Sequence, residues 1–160
     1  MDTVYIETTV IGNIAGRMHP DPVVSARQRV TRDWWSNAPQ RYRLFTSQVT
    51  LDECSDGDVD AATERLEITR CVELLDTTDE AKTLARALMD RRAIPASQPR
   101  DALHIAVTAA HRVEFIVTWN FKHILNPHLQ AKIADVCRDE GFRPPVICTP
   151  QQLLESEDDS

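Results

Sequence analysis

Short apolar runs alternate with segments of helical period along this chain. Val4-Tyr5-Ile6 is β-branched and aromatic and reads as a buried strand. Tyr42 to Thr46, Cys71 to Leu75, Phe115 to Thr118 and Val146 to Cys148 read the same way. Between them, apolar residues recur every three or four positions. Val23, Ala26, Val30 and Trp34 mark a helix that begins at Asp21-Pro22, with Asp as cap and Pro in the first turn, and that Asn37-Ala38-Pro39 breaks. Ser47 caps a short helix through Val49, Leu51 and Cys54, and Asp60 to about Thr69 forms another. Thr77 and Glu80 make a capping box for a helix through Ala81, Leu84, Ala85 and Leu88 to about Arg92. Pro99-Arg100-Asp101 opens a helix that is apolar nearly all round, with Asp101, His104, Thr108 and His111 as its polar stripe. Pro127 to Glu140 is helical with Gly141 as C-cap, and Pro150 to Leu154 closes the pattern. Strands alternating with helices imply an α/β fold around a mostly parallel sheet.

Composition adds limits. The 160 residues are long enough to bury a sizeable core as one domain over residues 1–154, and 42% of them are hydrophobic. No apolar run reaches membrane length, and Met1-Asp2-Thr3-Val4 does not begin a signal peptide, so a cytoplasmic protein without a membrane partner is expected. Cys54, Cys71, Cys137 and Cys148 show no close pairing, which points to reduced, mostly buried thiols. The net charge of −7 argues against a nucleic-acid partner until its distribution is seen. Residues 13–43 carry six arginines against Asp21 and Asp33, while the end, 155–160, holds four acids and no base and is expected to be disordered. Local basic surface is therefore compatible with an acidic total.

The candidate chemistry lies in four separated residues. Glu7 follows the first strand, and Glu53 lies on the helix after the second. Asp101 begins the helix leading into the fourth strand, and Asn120 follows that strand. In a parallel sheet all four meet at the carboxyl edge, where such folds bind ligands. Three carboxylates together repel, and a hard cation such as Mg²⁺ or Mn²⁺ relieves them. A bound divalent ion suits hydrolysis of a phosphodiester. Thr8 and Thr9 are candidates to orient Glu7 or a water. His104 and His123 are candidate phosphate donors or proton relays, and Lys122 a phosphate contact. Taken singly, each residue also has an ordinary structural use, as a cap, a turn former or a solvated charge.

At these residues the sequence resembles the PIN-domain family, and within it the VapC-type toxins of toxin–antitoxin pairs. The resemblance is carried by Tyr5-Ile6-Glu7-Thr8-Thr9-Val10-Ile11-Gly12, Ser47 to Cys54, Asp101-Ala102-Leu103-His104-Ile105-Ala106 and Thr118-Trp119-Asn120-Phe121-Lys122-His123-Ile124. It implies a three-layer α/β/α fold and Mg²⁺- or Mn²⁺-dependent endonuclease cleavage of RNA. It places Glu7, Glu53 and Asp101 at the family's acidic positions and Asn120 at the fourth, often acidic one. Glu7 departs from the commoner Asp, and the neutral Asn120 bears on a second metal. The resemblance also implies a homodimer and a cognate antitoxin; the apolar face of Val23, Val30, Trp34 and Trp35 is a candidate part of the antitoxin groove, with core packing as the other use of most of it. A housekeeping RNA-processing nuclease and a catalytically degenerate RNA-binding scaffold remain as alternatives.

Overall fold

The computed structural model describes residues 1–158. Five strands make one all-parallel sheet: β1 (Asp2–Ile6), β2 (Tyr42–Ser47), β3 (Glu73–Leu75), β4 (Phe115–Val117) and β5 (Val146–Cys148). Their order is β3-β2-β1-β4-β5. The central strand β1 pairs Tyr5 with Phe45 on one side and with Ile116 on the other. The chain lays down β1, β2 and β3 outward, then returns to place β4 against the opposite side of β1. The reversal in strand order therefore falls between β1 and β4, beside Glu7.

Alternation along the strands splits the core in two. Val4 and Ile6 face α1 (Thr8–Ile14), α2 (Pro22–Arg41) and α8 (Pro150–Asp158), packing with Val10, Ile11, Trp34 and Leu153. Tyr5 faces the other way, into a core with Leu84 and Leu88 of α5 (Asp79–Asp90), Ile105 of α6 (Pro99–Ala110) and Ile133 of α7 (Pro127–Asp139). The result is the expected three-layer α/β/α arrangement. The short helix α3 (Gln48–Cys54) leaves the carboxyl end of β2 and touches α1, α6 and α4 (Val59–Thr69), so it bridges the two helical layers.

Some boundaries differ from the sequence reading. α2 does not break at Asn37-Ala38-Pro39 but continues to Arg41. Pro39 removes one N–H in the last turn, where little helix remains to disturb, and buried Trp34 and Ala38 hold that turn against the core. The cap of α5 is Thr78 rather than Thr77: its hydroxyl accepts from the Ala81 N–H at 3.2 Å. The third strand starts two residues late, at Glu73. The acidic end, expected to be disordered from residue 155, continues α8 as far as Asp158, while Asp159 and Ser160 lie outside the described residues. Composition misled there because Glu157 accepts from the Tyr42 hydroxyl and pairs with Arg41 at 3.6 Å. Among the described residues no helix is long and apolar enough to cross a membrane. The four cysteines are free, and only Cys71 is exposed.

Candidate functional site

Glu7 sits where β1 ends. Its N–H continues the sheet by donating to the Val117 carbonyl at 3.2 Å, and it then serves as N-cap of α1. The side chain is only 2% exposed. Its Oε1 accepts from the Thr9 N–H at 3.0 Å, from the Thr9 hydroxyl, and from the Thr118 hydroxyl at 2.8 Å. Thr118 is the residue just past β4, so the carboxylate is gripped from both strands at the reversal point. Burial pushes the Glu7 carboxyl up, against the charge of His104 and the Thr9 and Thr118 bonds.

Glu53 reaches the same place from the last turn of α3. That position, away from the helix N-terminus, removes the helix dipole as its reason for being there. Its Oε1 accepts from the Thr8 hydroxyl at 2.7 Å and from His104 Nε2 at 2.6 Å. Burial acts upward on this carboxyl, but the bond and charge of His104, with Thr8, hold it below the usual range. Thr9 thus hydrogen-bonds to Glu7, whereas Thr8 hydrogen-bonds to Glu53.

His104 is the third member of the cluster. It is fully buried on α6, one turn past Asp101. Burial lowers its affinity for a proton, yet the Tyr5 hydroxyl, the bond to Glu53 and the charges of Glu7 and Glu53 outweigh that and push it up to about 10. The ring is then an imidazolium with two donors. One serves Glu53; the other, Nδ1–H, serves the Tyr5 hydroxyl at 2.8 Å. Tyr5 in turn donates to Ser47 Oγ at 2.7 Å, which explains why Ser47 precedes α3 without capping it through its side chain. One side-chain atom from each of Glu7, Glu53 and His104 lies within 4.8 Å of the others; as an imidazolium His104 has no lone pair to offer, so the two carboxylates are the members of this cluster that can hold a metal ion.

Asp101 and Asn120 lie beside this cluster and outside it. Asp101 is 7% exposed in the first turn of α6. Burial pushes its carboxyl up, while a hydrogen bond from Asn120 and the charges of His104 and His123 pull the other way. Asn120 Oδ1 accepts from the His123 N–H at 3.1 Å, so the amide ties Asp101 to the loop after β4. His123 is half-buried next to Asp101, and Lys122 is exposed. The structure therefore joins Glu7, Glu53 and His104 most tightly, and sets Asp101 with Asn120 alongside.

The donor chemistry fits a hard divalent cation. Both glutamates are held through Oε1, and neither Oε2 accepts a hydrogen bond among the described residues. Each carboxylate is thus fixed by one oxygen with the other left over. Three buried or half-buried carboxylates concentrate more negative charge than one imidazolium balances. Sequence reasoning missed Tyr5, Ser47 and Thr118. The available signal was a tyrosine in the middle of an otherwise apolar strand, since a buried phenol needs a partner.

Comparison with known proteins bears on this arrangement. The family model described as PIN domain matches residues 4–123. A comparison with curated proteins finds no match. Among solved structures, a chain in the crystal structure of VapBC2 from Rickettsia felis bound to a DNA fragment from their promoter is similar, with a TM-score of 0.55. The identity is 16%, over 78% of this chain and 94% of that one, a likeness of fold.

Proposed function

The chain belongs to the PIN-domain family, and from that premise we propose that it is a metal-dependent endoribonuclease, the toxin of a type II toxin–antitoxin pair. The observation that carries the nuclease reading is the meeting of Glu7 and Glu53 at the β1–β4 reversal point, with Asp101 alongside. These three carboxylates would hold Mg²⁺ or Mn²⁺, which when bound lowers the pKa of water and offsets charge on a phosphate. The protein's own part is orientation. Thr9 and Thr118 fix Glu7, Thr8 and His104 fix Glu53, and Asn120 fixes Asp101. Holding groups in place before the substrate arrives is the larger share of catalysis in phosphoryl chemistry. The likeness in fold to a chain of the VapBC2 complex supports the toxin role and with it an antitoxin partner, while a homodimer rests on the family resemblance alone.

The test is cleavage of single-stranded RNA by the purified chain, with Mn²⁺ or Mg²⁺ and with EDTA, beside Asp101→Asn. Discrete new ends that require both metal and Asp101 are expected. Metal-independent cutting, or an Asp101→Asn rate equal to wild type, would overturn the assignment.

A further inference from the structure

Asn120 is flanked by two aromatic residues that the carboxylate cluster does not use. Trp119 is nearly buried, and its indole N–H donates to Thr31 Oγ1 at 2.9 Å. Phe121 is 44% exposed and meets Trp119 edge to face at 6.1 Å. With Pro22, Val23, Ala26 and Val30 of α2 they border an open apolar groove of about 570 Å³. The guanidinium of Arg27 lies over both rings, 5.5 Å from the Trp119 centroid and 5.2 Å from that of Phe121. Arg27 has no carboxylate partner among the described residues. One hydrogen-bonded path links a groove-lining residue to the cluster: the Trp119 N–H donates to the Thr9 hydroxyl at 2.8 Å, and that hydroxyl holds Glu7.

We propose that this groove is a nucleotide subsite for the substrate strand, in which an unpaired base stacks against Phe121 and its phosphate pairs with Arg27. The assignment rests on the ribonuclease reading. A nucleotide supplies both things the groove lacks: a flat π surface for an exposed ring and an anion for a half-buried guanidinium. An apolar protein segment would cover the rings but leave Arg27 desolvated without a counter-charge. The groove therefore selects single-stranded RNA, because a base in a duplex is already stacked on its neighbours.

The test uses the full chain in EDTA and single-stranded RNA oligonucleotides carrying one 2-aminopurine, moved along the strand. Wild type, Phe121→Ala and Arg27→Gln are titrated, and RNA cleavage with Mn²⁺ is measured in parallel. Wild type should quench the fluorescence strongly at one position. Phe121→Ala should lose that quench and bind about tenfold more weakly, as expected for one stacked base. Arg27→Gln should weaken binding and lower the salt dependence by about one phosphate contact. Unchanged quench and affinity in both variants overturns the subsite while leaving cleavage by wild type intact. So does failure of wild type to bind RNA, or loss of a protein partner by the variants with RNA affinity at the wild-type level. If wild type binds with the position-specific quench but cuts nothing, the subsite stands and the nuclease reading falls.

Discussion

Tyr5→Phe removes one oxygen from the centre of the protein and leaves its shape alone. That oxygen accepts from His104 Nδ1 at 2.8 Å and donates to Ser47 Oγ at 2.7 Å, with Thr50 Oγ1 further off at 3.4 Å. Tyr5, Ser47, Thr50 and His104 are all fully buried, so water does not replace the lost bonds. An unpartnered buried polar group costs about 1–3 kcal/mol, and two such groups are created. Ser47 can turn its hydroxyl to Thr50 or a backbone carbonyl, which puts the sum at about 2–4 kcal/mol. For a chain of this size that is a fall in Tm of roughly 5–15 °C. Ser47→Ala breaks one bond of the pair and should cost about half as much. Thermal unfolding followed by circular dichroism, in EDTA, measures both. A Tm for Tyr5→Phe within about 2 °C of wild type would show that the relay does not hold His104 in place. The same variant should lower kcat for RNA cleavage with little change in KM, because His104 in turn fixes Glu53.

Asp101→Asn should abolish cleavage yet leave Tm equal to or above wild type in EDTA, because burial already disfavours the charged Asp101; a large fall in Tm would contradict that electrostatic reading. Saturating Mn²⁺ or Mg²⁺ should raise Tm, by about 2.7 kcal/mol of stability at a hundredfold excess over Kd, and Glu7→Gln should remove most of that gain. The His104–Glu53 pair sets a pH window in metal-free protein. His104 is raised from 6.5 to about 10, so its contribution is complete below pH 6.5 and disappears as pH rises through about 10. Glu53 is lowered from 4.5, so its contribution is complete above pH 4.5 and is lost as pH falls through its folded value. Melting curves across pH should therefore show a plateau between these limits, and His104→Gln should narrow the difference between its middle and its alkaline side.

Much of the fold was legible because a buried strand and an amphipathic helix have different periods. Val4-Tyr5-Ile6 and the stripe at Ala81, Leu84, Ala85 and Leu88 could be read without tertiary knowledge. The placing of Glu7 and Asn120 after strands, and of Glu53 and Asp101 on helices, followed from the same reading. What could not be read were relations between distant residues. His104 belongs to the polar stripe of α6, but nothing local says that it faces Tyr5, 99 residues earlier. Asp101 and His104 stand one turn apart on α6, and it is the packing of that helix against α3 and Tyr5 that sets His104 on Glu53 with Asp101 alongside. Pro39 and the acidic end failed for a related reason: buried Ala38 and the Tyr42–Glu157 contact override what a proline and four acids imply locally.

The central strand has one further consequence. β1 precedes both of its neighbours in the chain, and one of them, β4, begins only at Phe115 and brings Thr118 to Glu7. Until that segment has left the ribosome and docked, Glu7 lacks one of its donors and Asp101 lacks Asn120. If the chain is the nuclease proposed above, its centre is incomplete until β4 and the loop after it are in place. Premature termination between residues 102 and 114 yields a fragment with all three acids but without Thr118, Asn120 or β4, which is expected to be inert.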